Sequence, residues 1–304
     1  MNRYSNQRGQ VLVLTALTMM VLLGMAALVL DVGHWFRAQR DLQATADASA
    51  LAGAQALPED AGTAAALAAE YTSKNGGSGA TATVTFTSKN YANDTIHVKL
   101  SRETPGFFAK IFGIDSVEVG AKSAARSINP SNAKWAAPFG VDEKHPLLHC
   151  SPGPCFDEAT ELDLDKVGPG AFRIINLDGS KGGTGQQTLA EWILSGYAGY
   201  MPLGEYKSDP GAKFNSSEVQ AAIREKIASG EELLFPVYRT IREEGANLEY
   251  EVIGWVGFVI TDAEIHGSKG KLFGHFTRVI WEGFTSSSAA GNPDFGVRSI
   301  ELID

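Results

Sequence analysis

VLVLTALTMMVLLGMAALVL, residues 11–30, contains no charged side chain. At a helical rise of 1.5 Å per residue this stretch spans ~30 Å, the thickness of a bilayer's hydrocarbon core. Arg3 and Arg8 precede it, with no acid among the first ten residues. Asp31 follows it, and the later Arg37 and Arg40 are offset by Asp41 and Asp47. Positive charge before and neutrality after place the N-terminus in the cytoplasm and the remaining chain outside it. A cleaved signal peptide is the competing reading. It needs a shorter apolar region and an A-x-A-like site, and the Asp31-Val32-Gly33-His34 that follows is not such a site. The flanks therefore predict a retained single-pass anchor at residues 11–30, preceded by a cytoplasmic segment, residues 1–10.

The helical pattern continues beyond the membrane. Residues 34–57 contain no proline and are rich in Ala, Leu, Gln and Arg, all good helix formers; Pro58 stops the run. One long helix is predicted to cross the bilayer and project outward. Gly24 and Gly33 lie where it could bend or pack closely. Alanines recur every four residues, as Ala44, Ala48, Ala52, Ala56 and as Ala46, Ala50, Ala54. Such stripes admit another backbone, and helix propensity alone gives the same composition. The rest of the 304-residue chain is ordinary globular material, 44% hydrophobic and 20% charged. A net charge of -9 and the lack of a basic stripe argue against nucleic acid as a partner.

Gly9-Gln10, the apolar stretch, Asp31-Val32-Gly33, Leu42-Gln43, and then Ala46-Asp47-Ala48-Ser49-Ala50-Leu51-Ala52-Gly53-Ala54 follow one another in fixed order. This order resembles the N-terminal domain of the TadE/TadG-like proteins of Flp pilus assembly, over residues 9 to about 56. The resemblance implies a membrane-anchored, pilin-like component of the tight-adherence pilus system. Its partners would be the lipid bilayer and other Tad membrane proteins or pilin-like subunits, with helix-mediated homo- or hetero-oligomers. Processed members carry Glu five residues after the cleaved glycine. Counting from Gly9 that position is Leu14, which implies retention as an anchor. Members with a von Willebrand A domain need D-x-S-x-S; Asp178-Gly-Ser-Lys-Gly lacks the second serine, so that domain is not expected. Asp31 is expected to reach water at the membrane exit. Asp47 is expected at the surface, with pairing to Arg40 or Arg37 on its own helix, or to a partner chain, as the alternative.

Residues 31–130 then read as the projecting helix and a small α+β layer. A helix runs from Ala61 to Ser73, closed by Asn75-Gly76-Gly77. Alternating strands follow at Ala82–Thr87 and Thr95–Leu100, a short helix opened by Pro105 runs from Gly106 to Phe112, and a third strand covers Val117–Arg126. Phe107, Phe108, Ile111 and Phe112 are expected in its core. Ser127 to Asn132 reads as a linker. Residues 131–304 read as a β-rich domain with strands at Ala171–Leu177, Leu233–Ile241, Leu248–Ile260, Lys271–Phe284 and Val297–Ile303. Helices interrupt it at Gln187–Gly196 and Ser216–Ser229. The apolar run Tyr250–Ile260 is predicted to be a central strand buried on both faces.

Chemistry is sparse. Cys150 and Cys155 outside the membrane predict a disulfide. Free thiols, or Zn²⁺ held with His145 and His149, are the alternatives, though H-x3-H-C-x4-C matches no familiar site. The acidic run Asp157, Glu158, Glu161, Asp163, Asp165 lacks the Glu at position twelve that a calcium loop needs. Gly179 to Gly185 has its lysine ahead of the glycines, so it fails as a phosphate cradle and reads as a loop. No nucleophile elbow, H-E-x-x-H or triad spacing occurs. The class is α+β: an N-terminal transmembrane helix extended into a long helix, a small pilin-like layer, then a β-rich extracytoplasmic domain. The function predicted is non-catalytic, without cofactor or metal, in tight-adherence pilus assembly or surface attachment. The alternative is a membrane-tethered extracytoplasmic binding domain unrelated to pili.

Overall fold

The computed structural model describes residues 7–151, 153–179, 183–209, 211–242, 249–267, 269–281, 283–284 and 292–303. The chain is α+β and forms two compact units, residues 1–127 with 300–304, and residues 128–299. The sequence predicts a second region that runs to residue 304; residues 300–304 belong to the first unit.

In the first unit a 48-residue helix, Gln7–Ala54 (α1), runs unbroken through Gly24 and Gly33. Its part from Val11 to Leu30 is solvent-facing apart from the half-buried Gly24 and Ala27. By length and composition it is a candidate membrane span. Within that stretch the hydroxyls of Thr15 and Thr18 donate to the carbonyls of Val11 and Leu14, so neither needs an outside partner. A tight turn leads to Ala61–Lys74 (α2), capped by Asp60, whose carboxylate accepts the Thr63 N–H at 2.9 Å. Strands Thr81–Thr87 (β1), Thr95–Pro105 (β2) and Ser116–Ile128 (β3) pair antiparallel in sequence order. The residues Ile300–Ile303 of the C-terminal strand Val297–Ile303 (β15) belong to this unit, on the free side of β3. Leu42, Ala46, Ala50 and Ala54 of α1, Ala64 and Ala68 of α2, and Ile96, Val98 and Leu100 of β2 make its core.

The second unit is built on a seven-stranded sheet. Its strands are Phe139–Asp142 (β5), Ala159–Asp163 (β6), Phe172–Ile174 (β7), Gly204–Lys207 (β9), Glu232–Arg242 (β10), Glu249–His266 (β11) and Lys269–Thr277 (β12). The order is β6-β12-β11-β10-β5-β7, with β9 also paired to β11. The remaining strands are two-residue pieces, Asn132–Ala133 (β4), Met201–Pro202 (β8), Val279–Ile280 (β13) and Gly283–Phe284 (β14). β11 is the central strand, with Val252 to Phe258 all buried, as the continuous apolar run predicts. Helices Gln186–Ser195 (α3) and Ser217–Ser229 (α4) pack on each other, and α4 packs on β11. They bury Leu189, Trp192 and Ile193 and Val219, Ala222 and Ile223, and Ile227 packs partly buried against the same core. Ser216 caps α4 through the Val219 N–H. Phe139 anchors the interior, meeting Phe172, Phe214 and Phe235 edge to face at 5.5–6.0 Å.

The β1–β2 connection is closed by one side chain. Asp94 is buried, and its carboxylate accepts the backbone N–H groups of Lys89, Asn90 and Tyr91 at 2.6–3.2 Å and the Thr95 hydroxyl at 2.7 Å. Asp94→Ala would strand these donors at a cost of about 2 kcal/mol. Thermal unfolding of the full chain in detergent should show a lowered midpoint for the first unit.

Candidate functional site

The residues singled out in the sequence are strung along α1, and the first unit uses them in two clusters. The lower cluster centres on Asp31. Its side chain is wholly buried. One carboxylate oxygen accepts the Phe107 N–H at 3.0 Å, and the other accepts those of Phe108 and Ala109 at 2.9 and 2.5 Å. The expectation that Asp31 reaches water is therefore corrected: it caps a turn 76 to 78 residues further along the chain. Burial pushes this carboxyl up, but the N–H groups of Ala109, Phe107 and Phe108, helped by His34, outweigh burial and hold it below its ordinary value. The turn it caps is a 3-10 helix, Ala109–Phe112, shorter than the predicted helix, ended by Gly113 in the left-handed region at φ 80°. His34 and Trp35 complete the cluster. The His34 ring lies 5.0 Å from Phe107, and Trp35 Nε1 donates to the Pro105 carbonyl at 3.4 Å.

The apolar residues of this turn are not core. Phe107, Ile111 and Phe112 are 62%, 80% and 72% exposed, and Phe108 is also exposed. They sit at the tip of the β2–β3 connection, beyond the reach of the sheet's interior, and only Ala109 of that turn is buried. Phe108, Ile111 and Phe112 border a groove of about 780 Å³ whose other wall is α1, at Met20, Leu23, Gly24, Ala27 and Leu30. A methyl built on Gly24 or on Gly33 would meet nothing within 4 Å, so neither glycine serves close packing within this unit.

The upper cluster is the alanine-rich motif. Leu42, Ala46, Ala50 and Ala54 form one buried stripe against α2 and β2, Ala52 is buried beside them, and Ala48 and Leu51 are half-buried. Gly53 marks the closest approach: a methyl there would lie 2.5 Å from Ile96 Cδ1 and 2.9 Å from the Ala64 carbonyl oxygen. Polar side chains stitch the same contact. Thr45 Oγ1 donates to the Asn75 carbonyl at 2.6 Å, and the Ser49 and Thr72 hydroxyls share a buried bond of 2.9 Å. Asp47 takes its hydrogen bond from Gln43 Nε2 at 2.8 Å, rather than pairing with Arg40 or Arg37, and Gln43 also donates to the Lys122 carbonyl of β3 at 2.9 Å. Both border a second groove, of about 870 Å³, with His97, Lys99, Lys122 and Leu302. The backbone admitted by the small residues is that of α2 in the same chain. Gly9 lies within α1.

In the second unit, Cys150 and Cys155 form a disulfide, with Cα atoms 5.6 Å apart. That bond engages both sulfurs, so the Zn²⁺ alternative loses two of its four ligands. His145 accepts the Leu147 N–H at Nδ1 and meets the Thr160 hydroxyl at Nε2, 3.1 Å away; burial lowers it to about 4. His149 Nε2 meets the Glu143 carbonyl oxygen at 2.5 Å. The acidic run is matched across strands: Lys271 pairs with Glu161 at 2.7 Å and Lys269 lies 4.0 Å from Asp165. In the glycine-rich loop, residues 180–182 lie outside the described residues. Among the described residues no group of His, Cys, Asp and Glu side chains has the arrangement of a metal site.

Residues 9–56 match the family Tad, described as "Putative Flp pilus-assembly TadE/G-like". The matched segment is α1 with the first residues of the turn after it, so it covers both clusters on the helix side and neither of their partners. Comparisons with curated proteins and with solved structures give no match.

Two outcomes follow from the clusters. Gly53→Ala should destabilise the first unit by about 1–3 kcal/mol, because the Ala64 carbonyl is backbone and cannot step aside; chemical denaturation of the full chain in detergent would measure this. For Asp31, a folded value below the ordinary 3.8 means its stabilising contribution is full above that pH and is lost as pH falls through the depressed value. Hydrogen exchange at the amides of residues 107–109 should lose protection in that acid window, and should already be fast at neutral pH in Asp31→Ala.

Proposed function

We propose that this chain is a non-catalytic, membrane-anchored, pilin-like component of tight-adherence pilus assembly. Its N-terminus lies in the cytoplasm, α1 crosses the inner membrane once, and both folded units are extracytoplasmic. The observation that carries this reading is the coincidence of two boundaries on one helix. The family match spans residues 9–56. Inside it, the unbroken uncharged run of solvent-facing residues ends at Leu30, ahead of the buried Asp31, and from Leu42 onward the same helix is packed into a folded unit. Twenty successive uncharged, mostly apolar positions exposed to water would be strongly unfavourable, and lipid supplies cover for them. Arg3 and Arg8 ahead of the span orient it by the positive-inside rule. The Cys150–Cys155 bond suits an oxidising compartment.

The alanine stripe of α1 is filled by α2 and β2, so the pilus role proposed here does not use that stripe as a contact between subunits. Leu14 at the fifth place after Gly9 supports retention of the anchor. The role left to the chain is to tether its second unit outside the membrane, among other pilus-assembly proteins. Protease added to intact spheroplasts should digest both units while sparing residues 1–30. Crosslinking in the same membranes should recover Tad-system membrane proteins. Protection of the units, or a soluble full-length chain, would overturn the topology; recovery without any pilus-assembly protein would favour the tethered binding domain.

A further inference from the structure

We infer that the β2–β3 connection, Pro105 to Ile114, is a second membrane contact: a short apolar foot that inserts into the leaflet from which α1 emerges. The inference rests on the anchor reading of α1 and adds a site that the single span does not require. Three observations carry it.

The first is position. Phe108, Ile111 and Phe112 face α1 across a groove whose other wall is the span itself, from Met20 to Leu30. At 1.5 Å per residue that wall is ~15 Å long, about half of a bilayer's hydrocarbon core. Asp31 fixes the foot there, since its carboxylate holds the N–H groups of Phe107, Phe108 and Ala109. If lipid surrounds α1 at Ala27, lipid also reaches the side chains across the groove.

The second is composition. Phe107, Phe108, Ile111, Phe112 and Ile114 are all exposed. Burial of aromatic and branched side chains is the main source of attraction to a bilayer interior. Lys110 is the one charge in the turn, and its long stem allows the ammonium to reach headgroups. His34 and Trp35 lie on α1 just past the span, at the level where interfacial aromatic side chains gather.

The third is independent of hydrophobicity. A loop tip in water can leave its backbone donors to solvent; one in hydrocarbon cannot. Here seven of the nine N–H groups from Gly106 to Ile114 are closed from within. Asp31 takes three of them. Gly106 donates to the Asp115 carbonyl, Ile111 to that of Phe108, Gly113 to that of Lys110, and Ile114 to that of Ala109, at 3.0–3.1 Å. Such a largely self-satisfied tip suits a low-dielectric surrounding. A protein partner would also accept the apolar side chains, but the groove's continuity with the span favours lipid.

The test uses the full chain with Phe112→Cys, labelled with a polarity-sensitive nitrobenzoxadiazole dye and reconstituted in phosphatidylcholine–phosphatidylglycerol vesicles. The native cysteines are bonded to each other and do not compete for the label. Ser78→Cys is the aqueous control: it follows Asn75, which is bonded to Thr45, ~20 Å further along α1 than Asp31. The label at 112 should show blue-shifted emission, protection from iodide, and loss of fluorescence with lipids nitroxide-labelled on the acyl chain; the label at 78 should show none of these. Ile111→Cys should repeat the result, which guards against a local fault at one site. Water-like emission at both 111 and 112, in protein that resists carbonate extraction, would overturn the foot and leave the anchor standing. Extraction by carbonate would overturn the anchor and the foot together. Shielding that grows with the protein-to-lipid ratio would mark a second copy as the occupant and also overturn the inference.

Discussion

A single carboxylate, that of Asp31, sets the geometry of the first unit at its apolar end. It stands one residue past a stretch that cannot be hydrated favourably, and it is itself removed from water. A buried carboxylate is tolerable only where donors converge on it. The chain meets this need with three successive N–H groups of the Phe107–Ala109 turn, the arrangement of an N-cap made by a residue from another element. The consequence is mechanical. The β2–β3 connection is fixed to α1 at the exact point where its character changes from lipid-like to protein-like, so the sheet cannot drift along the helix.

Higher on α1 the constraint is steric. Ala46, Ala50 and Ala54 have no side chain beyond Cβ, and Gly53 has none, so α2 and β2 come closer than larger residues would allow. Close approach exposes the helix backbones to each other and leaves little room for water. The Ser49–Thr72 and Thr45–Asn75 bonds answer this by satisfying buried hydroxyls within the contact. The alternation of alanine with serine or threonine thus has a physical account inside one chain. Small residues set the distance, and short hydroxyl residues supply polar links that fit in it.

Much of this was legible in the sequence, and the failures share a cause. The long apolar helix, the strands expected at Ala82–Thr87, Leu248–Ile260 and Val297–Ile303, and both helices of the second unit follow from local sequence pattern, although the central strand runs on to His266. The Cys150–Cys155 bond is the pairing expected if these residues lie outside the membrane. What periodicity cannot report is which medium an apolar side chain faces. Phe107, Phe108, Ile111 and Phe112 read as core because hydrophobicity registers avoidance of water, and lipid and protein interior satisfy it equally. Nor can it report donors 76 residues away, which is why Asp31 reads as a charge seeking solvent. Short strands such as Phe139–Asp142 and Gly204–Lys207 fall below the length at which alternation is visible. Gln43, as a bridge from Asp47 to the Lys122 carbonyl, had a signal in its four-residue spacing from Asp47, the reach of one helical turn.

Asp94 and Asp31 use the same chemistry with different reach, and the comparison shows what each controls. Both are buried carboxylates folded onto three consecutive backbone N–H groups, and both are held below their ordinary value because those bonds outweigh burial. Asp94 closes a loop only five residues long from its first donor, so it orders what chain connectivity already keeps together. Asp31 closes a circuit through α1, α2 and two strands. The entropy of such a closure grows only with the logarithm of its length, so the long circuit costs little more than the short one while fixing far more. Acid or substitution at Asp94 loosens a loop; at Asp31 the same change releases the tip of the sheet from the helix that carries it.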